Sequence, residues 1–355
     1  MTLENTQMSD IATAGHGKPP GLFGRISFID LMQSVGLLAV ILLGGAIMSV
    51  LSPVFATMRN IENVLQSATI IAVVAIGQTF VILVAGIDLS VASVLVLSSV
   101  LSVGLVQFQG FSPEIGVMVA LLAGLGIGLV NGLAVTKLRI PALIATLATM
   151  TIGRGLAYIY SGGTNIAPVP RFFVDLQAAR ILGIPAVIVL TLVLALIAQI
   201  VLSRTSFGRS IYATGGNPLA ARLAGIKTER VIIIAFMISG LMSAIGGLLI
   251  TARFEAGAAT AAQGLELAVI AAVVIGGVSL FGGEGNIGSM LLGVLLLGLV
   301  QNAVNLLNVP PNWDSVVSGL VIAAAAALDV YRRSYLEAGM RKKVIATKSK
   351  QPPKA

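Results

Sequence analysis

The chain has 355 residues, 57% of them hydrophobic and 10% charged, with a mean hydropathy of +1.00. An ordinary soluble domain carries roughly a quarter charged residues, so this composition places the chain in a bilayer. It has no cysteine, its single histidine, His16, precedes the apolar region, and its net charge is +8. Disulfide, thiolate and histidine chemistry within the membrane are thereby excluded, and a metal there would need oxygen ligands alone.

Residues 1–30 hold acids before the first lysine and no apolar core, which excludes a cleavable signal peptide and predicts a flexible cytoplasmic leader. About ten apolar runs follow, near residues 32–53, 64–84, 88–107, 114–136, 141–160, 182–202, 231–251, 262–281, 287–307 and 314–330. No soluble catalytic domain fits between them. The expected fold is an all-α polytopic membrane domain over residues 31–332, ending in a basic tail, 333–355.

Spans two and three nearly touch at "AGIDLS", and the eighth is glycine-rich at its end, which marks both as broken or re-entrant. Asp88 sits in the first break. An ionisable group at membrane depth reads as functional, either a proton relay or a sugar ligand. Its position near the predicted cytoplasmic boundary favours the plainer role of capping span three. Gly124, Gly128 and Gly132 share one helical face and predict close helix packing. Arg154, flanked by glycines inside span five, either meets a polyol or pairs within the bundle, and the structural role is favoured. Glu266 and Glu284 lie beside glycine-rich breaks and read as solvated loop positions.

Two connections stand out, residues 161–181 on one face and 203–230 on the other. With both termini placed in the cytoplasm, seventeen Lys and Arg fall on that side, four fall outside and Arg154 lies within a span. That asymmetry obeys the positive-inside rule. The segments "GLVNGLAVTKLRIP" and "GLVQNAVNLLNVPP" echo each other five spans apart, as an inverted repeat requires, although four identities also arise by chance.

The longest internal connection contains "GGNPLAARLAGI". Asn217 suits an N-cap, Pro218 a first helical position and Gly225 a left-handed stop, which predicts a helix of about two turns. Leu219, Leu223 and Ile226 form one apolar stripe beside Arg222. So short a helix needs something to dock against, and spacing alone fits a headgroup-level surface helix as well as a protein-docking one. "FGGEGNIG" lacks the GxxxxGK[ST] pattern, so the chain is not expected to bind ATP.

The stretch "GRSIYATGGNPLAARLAGIKTERV" resembles the cytoplasmic coupling loop of permease subunits of ribose-type ATP-binding-cassette importers, the branch that includes xylose and autoinducer-2 systems. "VAGIDLSVASV", "RIPALIATLATMTIGRGLAYIYSGG", "VIGGVSLFGGEGNIGSMLLG" and "VVSGLVIAAAAALDV" match in the family's order, over about residues 30 to 332. The chain departs from the pattern at Ala92, where the family usually has glycine, and at Pro218 and Leu219, where polar residues are commoner.

The resemblance implies a multi-pass protein of the bacterial inner membrane, not itself an enzyme and without a cofactor or nucleic-acid partner. A cytoplasmic ATPase would grip Gly215, Gly216, Asn217, Ala220, Ala221, Arg222, Leu223, Gly225 and Ile226. A periplasmic sugar-binding protein would dock near Thr164, Asn165, Arg171 and Asp175, and a second permease copy would complete the pathway within membrane lipid. A neutral polyol is held by amides and hydroxyls, which nominates Gln78, Asn131, Thr149, Gln301, Asn302 and Asn305; each also serves as a helix–helix hydrogen bond. The competing function, an ion-coupled secondary sugar transporter, needs ionisable relays, for which the chain offers Asp88, Arg154 and Glu266. An intramembrane enzyme lacks any HExxH, histidine or cysteine constellation.

Overall fold

The computed structural model describes residues 28–309 and the isolated positions Trp313, Val316, Gly319, Leu320 and Ala323. In chain order the helices are α1 (Phe28–Leu51), α2 (Met58–Leu83), α3 (Val91–Gln109), α4 (Pro113–Thr136), α5 (Ala142–Ser161), α6 (Arg171–Ala178), α7 (Ala186–Arg204), α8 (Ser206–Gly216), α9 (Pro218–Leu223), α10 (Thr228–Phe254), α11 (Leu265–Ile275) and α12 (Ile287–Leu306). Two short antiparallel strands, β1 (Arg180–Ile181) and β2 (Ile184–Pro185), form a hairpin between α6 and α7.

Among the described residues seven helices, α2, α3, α4, α5, α7, α10 and α12, are long and apolar enough to cross a membrane. Nine of the ten expected runs coincide with helices. α1 follows the first run, with Val35–Leu51 as its apolar part, whereas the run at 262–281 holds only the eleven-residue α11. The run at 314–330 lies outside the described residues apart from isolated positions. The connection 203–230, read as a loop with one helix, folds as two helices, α8 and α9.

Helix ends follow local chemistry. The Thr57, Thr205, Asn217 and Asn286 side chains cap α2, α8, α9 and α12 by accepting from backbone amides three residues on. Pro113 and Pro218 occupy first turns, where no amide hydrogen is needed, and Gly110 and Gly162 close α3 and α5 in the left-handed region.

α2, α3 and α10 form the centre, and α10 packs along α2, α3 and α4. Val73, Val74, Ala75, Val81 and Ile82 of α2 are fully buried. Lipid gives helices no hydrophobic reason to associate, so close backbone approach must hold them. At the α4–α10 contact Gly124 and Gly240 face each other, and a Cβ on either would overlap the other's carbonyl oxygen. Gly128 meets Phe236 and Gly132 meets Ile233 of the same helix. The glycine face expected to pack does so.

Connections alternate between two ends of the bundle. One end carries α6, the hairpin and residues 52–57; there Arg180 pairs with Glu62 at 2.8 Å and Arg253 donates to Asn63 and Ser67, both at 2.8 Å. The other end carries α8, α9 and the breaks 84–90 and 276–286, with Lys137 paired to Glu229 at 2.6 Å.

Candidate coupling and translocation site

The six residues of α9 begin as the sequence predicts. Asn217 Oδ1 accepts from the Ala220 amide at 3.0 Å, and Gly225 has φ +83°, where a side chain would be strained. The apolar stripe divides. Leu219 and Leu223 are 69% and 83% exposed, while Ile226 turns inward against the core and Ala221 is buried. Arg222 Nε donates to Thr228 Oγ1 at 2.8 Å, tying α9 to the first residue of α10. The helix therefore holds two leucines outward on a fixed mount.

Behind it lies a joint made of main chain. Gly215, at the end of α8, has no room for a Cβ, which would overlap the Leu83 carbonyl oxygen and the Gly283 nitrogen. Gly283 N donates to that same Leu83 oxygen at 2.9 Å, and Tyr212 Oη donates to the Gly285 carbonyl at 2.8 Å. Three segments distant in sequence thus meet backbone to backbone: the end of α8, the end of α2 and the loop after α11. Ala85, directly beyond, holds φ +59°, a conformation that costs a non-glycine residue energy and persists only where its surroundings enforce it.

Within the first break, Asp88 is 1% exposed. It does not occupy the N-cap of α3, which is Ser90, although it takes the Ser90 amide as an orphan donor at 2.9 Å. Its oxygens also accept from the Ser90 hydroxyl at 2.6 Å and the Ser239 hydroxyl at 2.8 Å. The Gln78 amide donates to the Asp88 carbonyl at 3.1 Å and accepts from its N–H at 3.2 Å. Asn131 Nδ2 donates to Ser90 Oγ at 2.9 Å, and its Oδ1 accepts from Thr149 Oγ1 at 2.8 Å. The nominated Gln78, Asn131 and Thr149 therefore converge, together with Asp88, on one buried knot joining α2, α4, α5 and α10.

The other nominees do not join it. Asn302 exchanges two amide hydrogen bonds with Asn60, at 2.8 and 3.0 Å, near the α6 end. Gln301 is half-buried and Asn305 exposed on the same helix. Arg154 Nη2 reaches the Ala262 carbonyl at 3.4 Å, a partner 108 residues away that sequence reasoning missed. No group of three or more acid, histidine or cysteine side chains among the described residues is placed to hold a metal.

Residues 60–326 match the family described as branched-chain amino acid transport system / permease component. The L-arabinose transport system permease protein AraH of Escherichia coli is 41% identical over 326 residues, which is 92% of this chain and 98% of that protein. The ribose import permease protein RbsC of Bacillus subtilis is 42% identical over 308 residues, 86% of this chain and 95% of the relative. RbsC of Haemophilus influenzae is 38% identical over 290 residues, 81% of this chain and 90% of the relative. The chain belongs to this permease family. No solved structure matches it.

The match spans α2 to α12 and so includes α9, the joint and the knot. At the α6 end of this permease, Arg171 and Asp175 lie one turn apart, both largely exposed, with 3.8 Å between Nε and Oδ1. Thr164 bonds to the Ser161 carbonyl, and Asn165 Oδ1 accepts from the Thr260 amide and hydroxyl, both at 3.3 Å. The two hydrogen bonds that Arg180 donates to Glu62, and then the charge of that carboxylate, hold the guanidinium above its ordinary pKa, so this end keeps a fixed ion pair beside the hairpin.

Proposed function

We propose that this permease is the membrane-spanning subunit of an ATP-driven importer of a monosaccharide, in the class of the L-arabinose and ribose for which its relatives are named. A separate ATPase binds α9, an external sugar-binding protein docks at the α6 end, and a second permease copy completes the path. Ten spans with both termini in the cytoplasm would put the α9 end inside. Seven Lys and Arg at that end against four at the α6 end, among the described residues, support the orientation.

One observation carries the reading: α9 presents Leu219 and Leu223 outward while its base is immobilised by the Arg222–Thr228 bond and the Gly215 joint. Closure of the ATPases displaces α9 and α8 together. Because Gly215 abuts Leu83 and Gly283 directly, displacement passes to the end of α2 and to the loop leaving α11. Switching between inward-open and outward-open states then follows as a rigid-body change of packed elements.

Proteoliposomes containing the chain, its ATPase and the binding protein test this with labelled L-arabinose and ribose. Uptake is expected only with ATP and all three components. Uptake by the chain alone, driven by a proton or sodium gradient, would replace the importer with the ion-coupled transporter.

A further inference from the structure

The chain from Gly257 to Gly264 is not helical; Gly257 pairs with Ile166 and Thr260 with Asn165 of the α6-end connection, and from there the chain dips toward the middle of α3. Ala258 N donates at 2.9 Å to Ser99 Oγ, a fully buried hydroxyl near the middle of α3. From the break after Ile275, the eleven residues of α11 rise about 16 Å, roughly half of a 30 Å hydrocarbon layer, to reach this strap. Arg154 stands at a similar level, about 18 Å along α5 from Ala142.

Exposed polar groups stand on both the strap and α5 within the protomer, among apolar side chains of α5 such as Leu147 that are also exposed. Thr151, one turn before Arg154, is exposed, as are Thr260, Gln263 and Gly264, and Arg154 is only half-buried. One Glu266 carboxylate oxygen is buried without a hydrogen-bond partner among the described residues. Ala262, whose carbonyl receives Arg154, holds φ +59°. Lipid accepts neither a mid-depth guanidinium nor irregular backbone; both occur at this depth only inside protein or along water. By contrast, Gln78 and Asn131, nominated from sequence for the pathway, are wholly buried and committed to the Asp88 knot.

We infer that the open face between α5 and the strap, from Thr151 and Arg154 to Gln263 and Glu266, lines the aqueous path of the polyol. Its charged groups serve as hydrogen-bonding contacts for sugar hydroxyls. The guanidinium donates to hydroxyl oxygens, and a carboxylate accepts two neighbouring O–H groups of a vicinal diol. The identity of the solute rests on the importer reading; the location of the path does not.

The chain has no cysteine, so single cysteines report without background. Gln263→Cys, Thr151→Cys and, as a lipid-facing control, Leu192→Cys, whose parent side chain is 55% exposed, are made in the full chain assembled with its ATPase. They are exposed to a membrane-impermeant, negatively charged methanethiosulfonate. Modification of the first two at least tenfold faster than the control is expected. Rates equal to the control in variants that still transport would overturn the path, whether or not the importer reading stands.

With the sugar that the parent complex accumulates, L-arabinose or ribose, Arg154→Gln is expected to raise the KM of uptake about tenfold, with a smaller change in the maximal rate. Arg154→Lys should restore part of it. An unchanged KM in Arg154→Gln would remove the residue from the path. Should the chain alone import sugar on an ion gradient, the labelling result still decides the path.

Discussion

Thr214 ends in a hydroxyl that is buried without a partner among the described residues, one residue before the Gly215 joint, whereas the Ser239 hydroxyl at the far side of the same break is one of three donors to the Asp88 carboxylate. The two sites therefore predict opposite signs. Thr214→Val replaces an unsatisfied hydroxyl by a methyl of the same shape and is expected to be neutral or stabilising by up to about 1 kcal/mol. Ser239→Ala leaves a carboxylate oxygen without its donor and is expected to cost about 1–3 kcal/mol. Thermal unfolding of the detergent-solubilised chain measures both, and equal shifts in the same direction would refute the bonding described at Asp88. Gly215→Ala belongs at this scale too. Its methyl must displace main chain rather than a flexible side chain, so a loss at or above the upper end of the ~1–3 kcal/mol typical of overpacking is expected, together with loss of ATP-driven uptake.

Elements differ in how well their sequence announces them. α9 is specified locally: Asn217, Pro218 and Gly225 each do what their covalent structure favours, and the helix appears where those residues put it. Since Leu219 and Leu223 touch little in the protomer, Leu219→Ser with Leu223→Ser should leave the melting temperature unchanged. It should still reduce co-purification of the ATPase at least tenfold; retained binding would remove α9 from the interface. Removing the cap by Asn217→Ala should cost about 1 kcal/mol of local helix stability and weaken ATP-driven uptake without abolishing membrane insertion. The breaks at 84–90 and 257–264 were legible only as interruptions in apolar runs. What stabilises them is partnership across the chain, Gly283 with Leu83 and Ser99 with Ala258, and neither pairing leaves a periodic signal. For the same reason Asp88 looked like a simple cap: its second oxygen is claimed by Ser239, 151 residues away. Polar side chains inside apolar runs nominated three members of the knot as pathway groups together with three residues outside it, because Gln78 and Asn302 look alike in sequence and bond in different places.

At the scale of the whole molecule, burial is concentrated in α2 and α3, whose apolar windows are 83% and 72% buried, while those of α4, α5 and α7 are at most 28% buried. In hydrogen–deuterium exchange on the assembled complex, amides in the second half of α2 and the first half of α3, where burial is continuous, should exchange slowest. The α6 segment and the β1–β2 hairpin, with Leu182 98% exposed at its tip, should exchange fastest. Fast exchange in α2 would mean that the centre of the bundle is elsewhere.

In the proposed importer the glycine joint would divide the labour between recognition and transmission. Because main-chain atoms of Gly215, Leu83 and Gly283 form that joint, a push from α8 into α2 would pass through backbone that does not vary with the choice of motor, while the outward leucines of α9 would drift without disturbing it. Grafting residues 217–227 from a relative should therefore transfer that relative's taste in ATPase and leave the sugar it admits untouched.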